Sequence, residues 1–167
     1  YRFTKPYWEK DFATNWRRAA FTQNDNHPVI CVSWLDAKAY LKWLNTINPD
    51  KKFRLLSDSE WEYVARATTT TVFSTGNTIS DKQANMNMYY YYGDSSRGAI
   101  SYGTKEVGQY QPNFFGLYDM HGNVSEWVED CWHDNYRRAP ANGDAWVNPG
   151  CVQRVVRGSS WLSASDQ

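Results

Sequence analysis

Two carboxylates, Asp119 and Glu126, flank Gly122 in the stretch from Phe115 to Trp127, and a second glycine, Gly116, precedes them. Glycine permits backbone angles that side-chained residues avoid. A turn built this way exposes carbonyl oxygens beside two hard anionic ligands, and calcium takes about six to eight oxygens from carboxylates and carbonyls together. The spacing therefore points to an oxygen-ligated ion. The same residues also suit a tight turn whose acids accept from neighbouring backbone amides. Local residues alone do not separate the two readings.

No other constellation carries comparable chemistry. His27, His121 and His133 lie far apart, none with a Cys, Asp or Glu at zinc-ligand spacing, so they read as structural or solvent-exposed. Glu60 with Glu62, and Glu129 with Asp130, read as helix-start and surface charges rather than an acid/base dyad. Nucleophile elbow, phosphate loop and CxxC pair are absent. Asn123-Val124-Ser125 is formally a glycosylation sequon, but it lies inside the tight turn. Three cysteines do not make a disulfide framework, although one pair can form. Cys131 and Cys151 are the better pair, because they flank a polar segment rich in Asn, Pro and Gly where a bridge would pin a loop. Cys31 lies in the apolar run Val29 to Val32 and is expected as a buried thiol.

Elements that could position these groups are sparse. The first 28 residues hold scattered aromatics and Pro6 without a sustained period, and read as an irregular packed entry segment. Val29 to Val32 is a short strand candidate. Ser33 and Asp36 have capping-box spacing, and Ala37, Leu41 and Leu44, widened by Tyr40, Trp43 and Ile47, form an apolar stripe that predicts a helix ending at Asn48-Pro49-Asp50. Phe53 to Leu56 reads as extended. Ser57 and Glu60 then cap a second helix over about 58–67, with Trp61, Val64 and Ala65 inward. From residue 72 onward only short apolar pieces appear, among them strand candidates at Glu126-Trp127-Val128 and Arg154 to Arg157. That much loop requires ions, disulfides or dense ring packing to hold it.

Length and charge bound the rest. A chain of 167 residues is one domain by its length and can bury a real core. Eighteen basic and eighteen acidic residues give zero formal charge, which supplies no basic footprint for nucleic acid and no polybasic membrane contact. No apolar run approaches the roughly 18 residues of a membrane span. Aromatics are 17% of the chain while mean hydropathy is −0.74, so the core is expected to be built from rings rather than aliphatic runs. The compartment stays open, with an extracytoplasmic or surface setting slightly favoured.

Five segments in order carry a resemblance: His27 to Ala37, Ser57 to Arg66, Phe115 to Trp127, Val128 to Trp132 and Arg154 to Trp161. Together they resemble the formylglycine-generating enzyme, or sulfatase-modifying factor, family over roughly residues 15–163. The resemblance implies an α+β, C-type-lectin-like fold with two helices, a small antiparallel sheet and long ordered loops. It also implies calcium ligated by Asp119, the backbone of Gly122 and Val124, and Glu126. A second family site begins at positions matching Asn85 and Met86, but its later half is missing or scrambled between Tyr89 and Tyr102.

Oxidases of the family convert a sulfatase cysteine to formylglycine with molecular oxygen, copper and two active-site cysteines. Here Ser163 holds the first cysteine's position, two residues beyond Trp161, and none of the three cysteines present falls in a matching place. Cu(I) prefers soft sulfur ligands, so the resemblance argues against copper. The second cysteine and the family's closing arginine-rich strand would lie past Gln167. Two explanations are open: the chain is a fragment of a longer domain, truncated at one or both ends, or another polypeptide completes the sheet. The favoured function is a non-catalytic binding or structural module with no assigned ligand, protein or small molecule, whose candidate contacts are Tyr90, Tyr92, Ser160, Trp161, Ser163 and Asp166. The alternative is the oxidase itself, seen as a truncated chain.

Overall fold

The computed structural model describes residues 2–4, 7–9, 14–89, 92–94 and 98–164. Its elements are β1 (Arg2–Thr4), β2 (Tyr7–Glu9), α1 (Trp34–Ile47), α2 (Asp58–Arg66), β3 (Glu126–Cys131) and β4 (Arg154–Arg157). The fold is α+β, with two helices and a small antiparallel sheet. β1 and β2 pair antiparallel, Phe3 opposite Trp8. β3 and β4 pair antiparallel with Trp127 opposite Val156, and their register shifts between Trp127 and Cys131.

Both helices begin on the reciprocal caps that the sequence encodes. Ser33 Oγ accepts from the Asp36 amide at 3.2 Å while Asp36 Oδ2 accepts from the Ser33 amide at 2.8 Å. Ser57 and Glu60 repeat the arrangement at 3.1 and 2.8 Å. These exchanges satisfy donors that have no intrahelical partner. α1 stops before Pro49, and α2 ends at left-handed Ala67, whose amide donates to Tyr63 O.

β3 is the element to which β4 and both helices attach. Trp34 Nε1 at the start of α1 donates to Val128 O at 2.9 Å, and Lys38 pairs with Glu129 at 2.8 Å. The Arg154 guanidinium lies 3.8 Å from the centroid of Trp34, where a cation is attracted to the ring face. On the other side, the Asp58 amide donates to Asp130 Oδ2 at 2.8 Å and the Glu129 amide to Leu56 O at 2.8 Å. One core cluster fills the space between α2 and β3 with Trp61, Ala65, Met120 and Val128. A second, under the loops, gathers Phe73, Ile79, Ala84, Met86 and Met88.

Four expectations need correction. The entry segment contains the β1–β2 hairpin, so it is not wholly irregular. Val29 to Val32 is no strand: Cys31 takes a left-handed φ of 59°, and Val32 O is claimed by Trp127 Nε1 at 3.1 Å rather than by a ladder. That kink leaves Cys31 exposed, not buried. The core is not built from rings either. Trp61 and Phe73 are its only buried rings among the described residues, the rest being Ile, Val, Met, Ala and Cys, because small and flexible side chains fill the irregular gaps between loops. The rings lie at the periphery, and Tyr40, Trp43 and Ile47 of the α1 stripe stay more than half exposed because α1 is held to β3 mainly through its first two turns.

Glu60 carries a checkable pH dependence. Hydrogen bonds from Arg54 and from the Ser57 amide hold its carboxyl at about 2, against an ordinary 4.5. Its folded pKa is depressed, so its stabilisation is present above pH 4.5 and is lost as pH falls toward 2. Glu60→Gln should cost about 0.5–1 kcal/mol at pH 7, a value set by the partly exposed pair. Urea melts across pH 7 to 2 should show the difference from wild type closing in the acid window.

Candidate functional site

The turn from Asp119 to Glu126 is held open by left-handed backbone at Asp119 (φ 55°), Gly122 (φ 81°) and Asn123 (φ 63°). Gly122 is required twice over. Its positive φ favours glycine, and a Cβ there would lie 2.5 Å from Asn85 O and 2.6 Å from Met86 Cγ. Its amide donates to Gly158 O at 2.6 Å.

Asn123, only 2% exposed, joins three distant segments. Its amide donates to Asn85 O at 2.8 Å, and its carbonyl accepts from the Trp161 amide at 3.0 Å. Its side-chain Oδ1 accepts from Asn85 Nδ2 at 3.2 Å and from the Lys105 amide at 2.9 Å, while Nδ2 donates to Lys105 O at 3.1 Å. A side-chain amide can satisfy both groups of a facing peptide at once. Sequence reasoning treated this residue only as an inaccessible sequon. An Asn directly after a glycine was the available signal, since Asn tolerates left-handed backbone and can bond locally.

The two carboxylates of the turn converge electrostatically. Burial raises the Glu126 pKa, the charge of Asp119 raises it further, and the hydrogen bond from Trp61 Nε1, 2.7 Å from Oε2, opposes both. No cationic side chain figures among these influences. A half-buried carboxylate beside a second one is an all-oxygen anionic donor pair, which a hard cation with oxygen preference fits. Asp119 Oδ2 already accepts from the Gly108 amide at 2.8 Å, which orients its carboxylate. Among the described residues no group of three or more His, Cys, Asp or Glu converges, so backbone oxygens would have to complete the coordination. Asn85 and Met86 are buried beside this turn, with Asn85 Nδ2 also donating to Gly103 O at 3.0 Å.

On the other side of the turn is a cavity of about 820 Å³, which touches Val124, Ser125 and Trp127 and is walled by Phe21, Trp161 and Leu162. Ser160 and Trp161, two of the sequence-nominated contacts, line it. Ser163 closes the adjoining turn: its amide donates to Ser160 O at 3.0 Å, and its Oγ accepts from the Ser160 amide at 3.2 Å. Tyr92 lies elsewhere, edge-on to Phe73 with ring centroids 5.8 Å apart. Tyr90 and Asp166 fall outside the described residues. Sequence reasoning missed Phe21, Cys31 and Trp127 as cavity residues, since nothing in the spacing brings the first thirty residues to the turn at 127.

The remaining chemistry-bearing residues hold structure. Cys131 and Cys151 are disulfide-bonded, with Cα atoms 5.9 Å apart. His133 stacks on Trp146 at 3.5 Å within that loop. His121 Nε2 accepts from the Ser74 amide at 3.0 Å, and burial holds its pKa below the ordinary value. No helix among the described residues is long and apolar enough to cross a membrane.

With this geometry established, comparison with known proteins decides the family. Residues 4–167 match the sulfatase-modifying factor enzyme 1-like domain. The chain belongs to that family. It is 35% identical over 166 residues to the formylglycine-generating enzyme of Mus musculus, an alignment covering 94% of this chain and 42% of that protein. It is 34% identical over 143 residues to the serine/threonine-protein kinase Pkn1 of Chlamydia trachomatis, covering 84% of this chain but 20% of the kinase. The solved structure of PvdO from Pseudomonas aeruginosa superposes with a TM-score of 0.70 at 38% identity, over 86% of this chain and 53% of PvdO. This sulfatase-modifying-factor-like chain thus spans about half or less of these relatives.

Substitution tests the junction at the turn. Asn123→Ala leaves buried partners on Asn85 and Lys105 unsatisfied, and should cost about 3 kcal/mol or more in chemical denaturation. Gly122→Ala meets Asn85 O as well as an unfavourable φ, and should destabilise to a similar extent, about 2–4 kcal/mol.

Proposed function

We propose that this chain serves as a non-catalytic binding module of the sulfatase-modifying factor family, with a calcium ion at the 119–126 turn and a ligand in the cavity beside Ser160 and Trp161. The observation that carries the reading is the disposition of sulfur. Cys131 and Cys151 are consumed in a disulfide, leaving Cys31 as the one free thiol among the described residues. Where the family's oxidases place a cysteine, Ser163 is tied into a closed turn with Ser160. A dithiol copper site needs two soft ligands, and the described residues offer one.

Calcium is assigned to Asp119 and Glu126 through their carboxylates and to Gly122 and Val124 through their backbone. Bound there, it would supply positive charge to the paired carboxylates and hold the turn against the Asn85 segment. The cavity suits ligand binding by its size, within the 300–1,000 Å³ range usual for such sites, and by its mainly apolar wall.

Two measurements test the reading. Calcium at a hundredfold excess over its Kd should raise Tm by about 5–10 °C over the chelated protein. Glu126→Gln, which keeps an acceptor for Trp61 Nε1, should abolish that rise while leaving the calcium-free melt little changed. A calcium-independent melt in the wild type would remove the ion from the proposal. For catalysis, a cysteine-containing sulfatase peptide incubated with the protein, copper and oxygen should keep its mass; conversion of that cysteine to formylglycine would replace this reading with the oxidase.

A further inference from the structure

Cys131 and Cys151 are chemically unequal partners in their bridge. Cys131 closes β3 and is 4% exposed, whereas Cys151 is half-buried beside Val152, which is 96% exposed. The Asn148 amide donates to Cys131 Sγ at 3.3 Å, and Asn148 O stands farther off at 4.0 Å. Cys151 Sγ instead meets a carbonyl, Gln153 O, at 3.2 Å. One sulfur faces a donor and the other an acceptor. From this asymmetry we propose that Cys151 is a site of reversible modification by small thiols, forming a mixed disulfide there while Cys131 departs as the thiolate.

Exchange begins when a thiolate attacks a disulfide sulfur, so access and the leaving group decide which sulfur is struck. A small thiolate RS⁻ reaches Cys151 from solvent more readily than the buried Cys131. A bond forms between RS and Cys151 Sγ, the Sγ–Sγ bond breaks, and its electron pair stays on Cys131. The Asn148 N–H is already in place to bind that charge, and hydrogen bonding to an ionised form favours it. Attack on Cys131 would leave the charge on Cys151, against the lone pairs of Gln153 O. The step trades one disulfide for another and needs no oxidant. Return attack by the Cys131 thiolate on Cys151 Sγ expels RS⁻ and restores the bridge.

That return requires the two sulfurs to stay neighbours, and the backbone keeps them so. Cys131 lies opposite Arg154 in the β3–β4 pair, and the Trp132 amide donates to Gln153 O at 2.9 Å. Within the loop, the Cys131 amide donates to Trp146 O at 3.0 Å, the Trp146 amide to Asp130 Oδ1 at 2.7 Å, and Ser57 Oγ to Gly143 O at 2.6 Å. His133 stacked on Trp146 adds a further tie. None of these contacts passes through sulfur. Opening the bridge therefore lifts its constraint on the unfolded chain while leaving the native loop docked.

Trypsin separates the two cysteines, because Arg137 and Arg138 lie between them, and Cys31 falls on a third peptide. Oxidised protein exposed briefly to reduced glutathione and quenched in acid should carry glutathione on Cys151 at least about tenfold more than on Cys131, the margin that one hydrogen bond to a developing charge provides. With glutathione disulfide, Cys131→Ser should take an adduct at Cys151, and Cys151→Ser almost none at Cys131. The fully reduced wild type should keep its native near-UV circular dichroism, to which Trp146 contributes. Equal or greater yield on Cys131 in the wild type would overturn the assignment whatever the variants do. A bridge that resists millimolar glutathione in the folded protein but yields in urea would overturn it too. Loss of the near-UV signal on reduction would mean that the loop depends on the bridge, and would overturn the reversibility.

Discussion

Asn123 makes five hydrogen bonds from a position closed to solvent, and they join Asn85, Lys105 and Trp161, segments that share no strand or helix. Unsatisfied buried amides are costly, so each of these loops can be buried only because the others are. Gly122 sets the approach distance, and Gly158 O receives its amide. With two short helices and two two-stranded sheets among the described residues, this junction does the work that a longer ladder does elsewhere.

The junction also separates two kinds of chemistry. On one side lie the carboxylates of Asp119 and Glu126, with burial and the Asp119 charge both raising the Glu126 pKa. On the other, reached through Val124 to Trp127, is a wall of rings, aliphatic side chains and hydroxyls, uncharged among the described residues. Because β3 begins at Glu126 and continues into Trp127, alternate side chains of one strand serve the acidic turn and the apolar cavity in succession. The loop between Cys131 and Cys151 is pinned separately, by its disulfide and the His133–Trp146 stack, and so makes little demand on either.

What could be read from the sequence follows from how local each determinant is. The caps at Ser33 and Ser57 act within four residues, so both helices were legible, as were β3 and β4 from their apolar runs and the family from its ordered motifs. The kink at Cys31 was not, because it depends on an indole 95 positions away in sequence claiming Val32 O. The α1 stripe has helical spacing, yet spacing does not reveal whether a partner covers it. The cavity was illegible for a related reason: its walls come from three separate stretches, within 14–32, 87–102 and 124–162, and no periodicity records that meeting. The ion turn was legible as residues and spacing, while the role of Asn123 inside it emerged only from contacts 18 and 38 positions away.

Those separations have a kinetic meaning. α1 and α2 need only neighbours along the chain and can form within microseconds, as isolated turns do. The Asn123 bonds require residues 85, 105 and 161 to arrive together, each loop closure costing entropy before any bond compensates it. A fold of this design has its helices early and its loops late, and folds more slowly than its helix content suggests. Until the last of those segments docks, Asn85 and Asn123 remain wet, the ring-lined cavity has no wall, and the chain exposes the apolar loop surface on which misassembly begins.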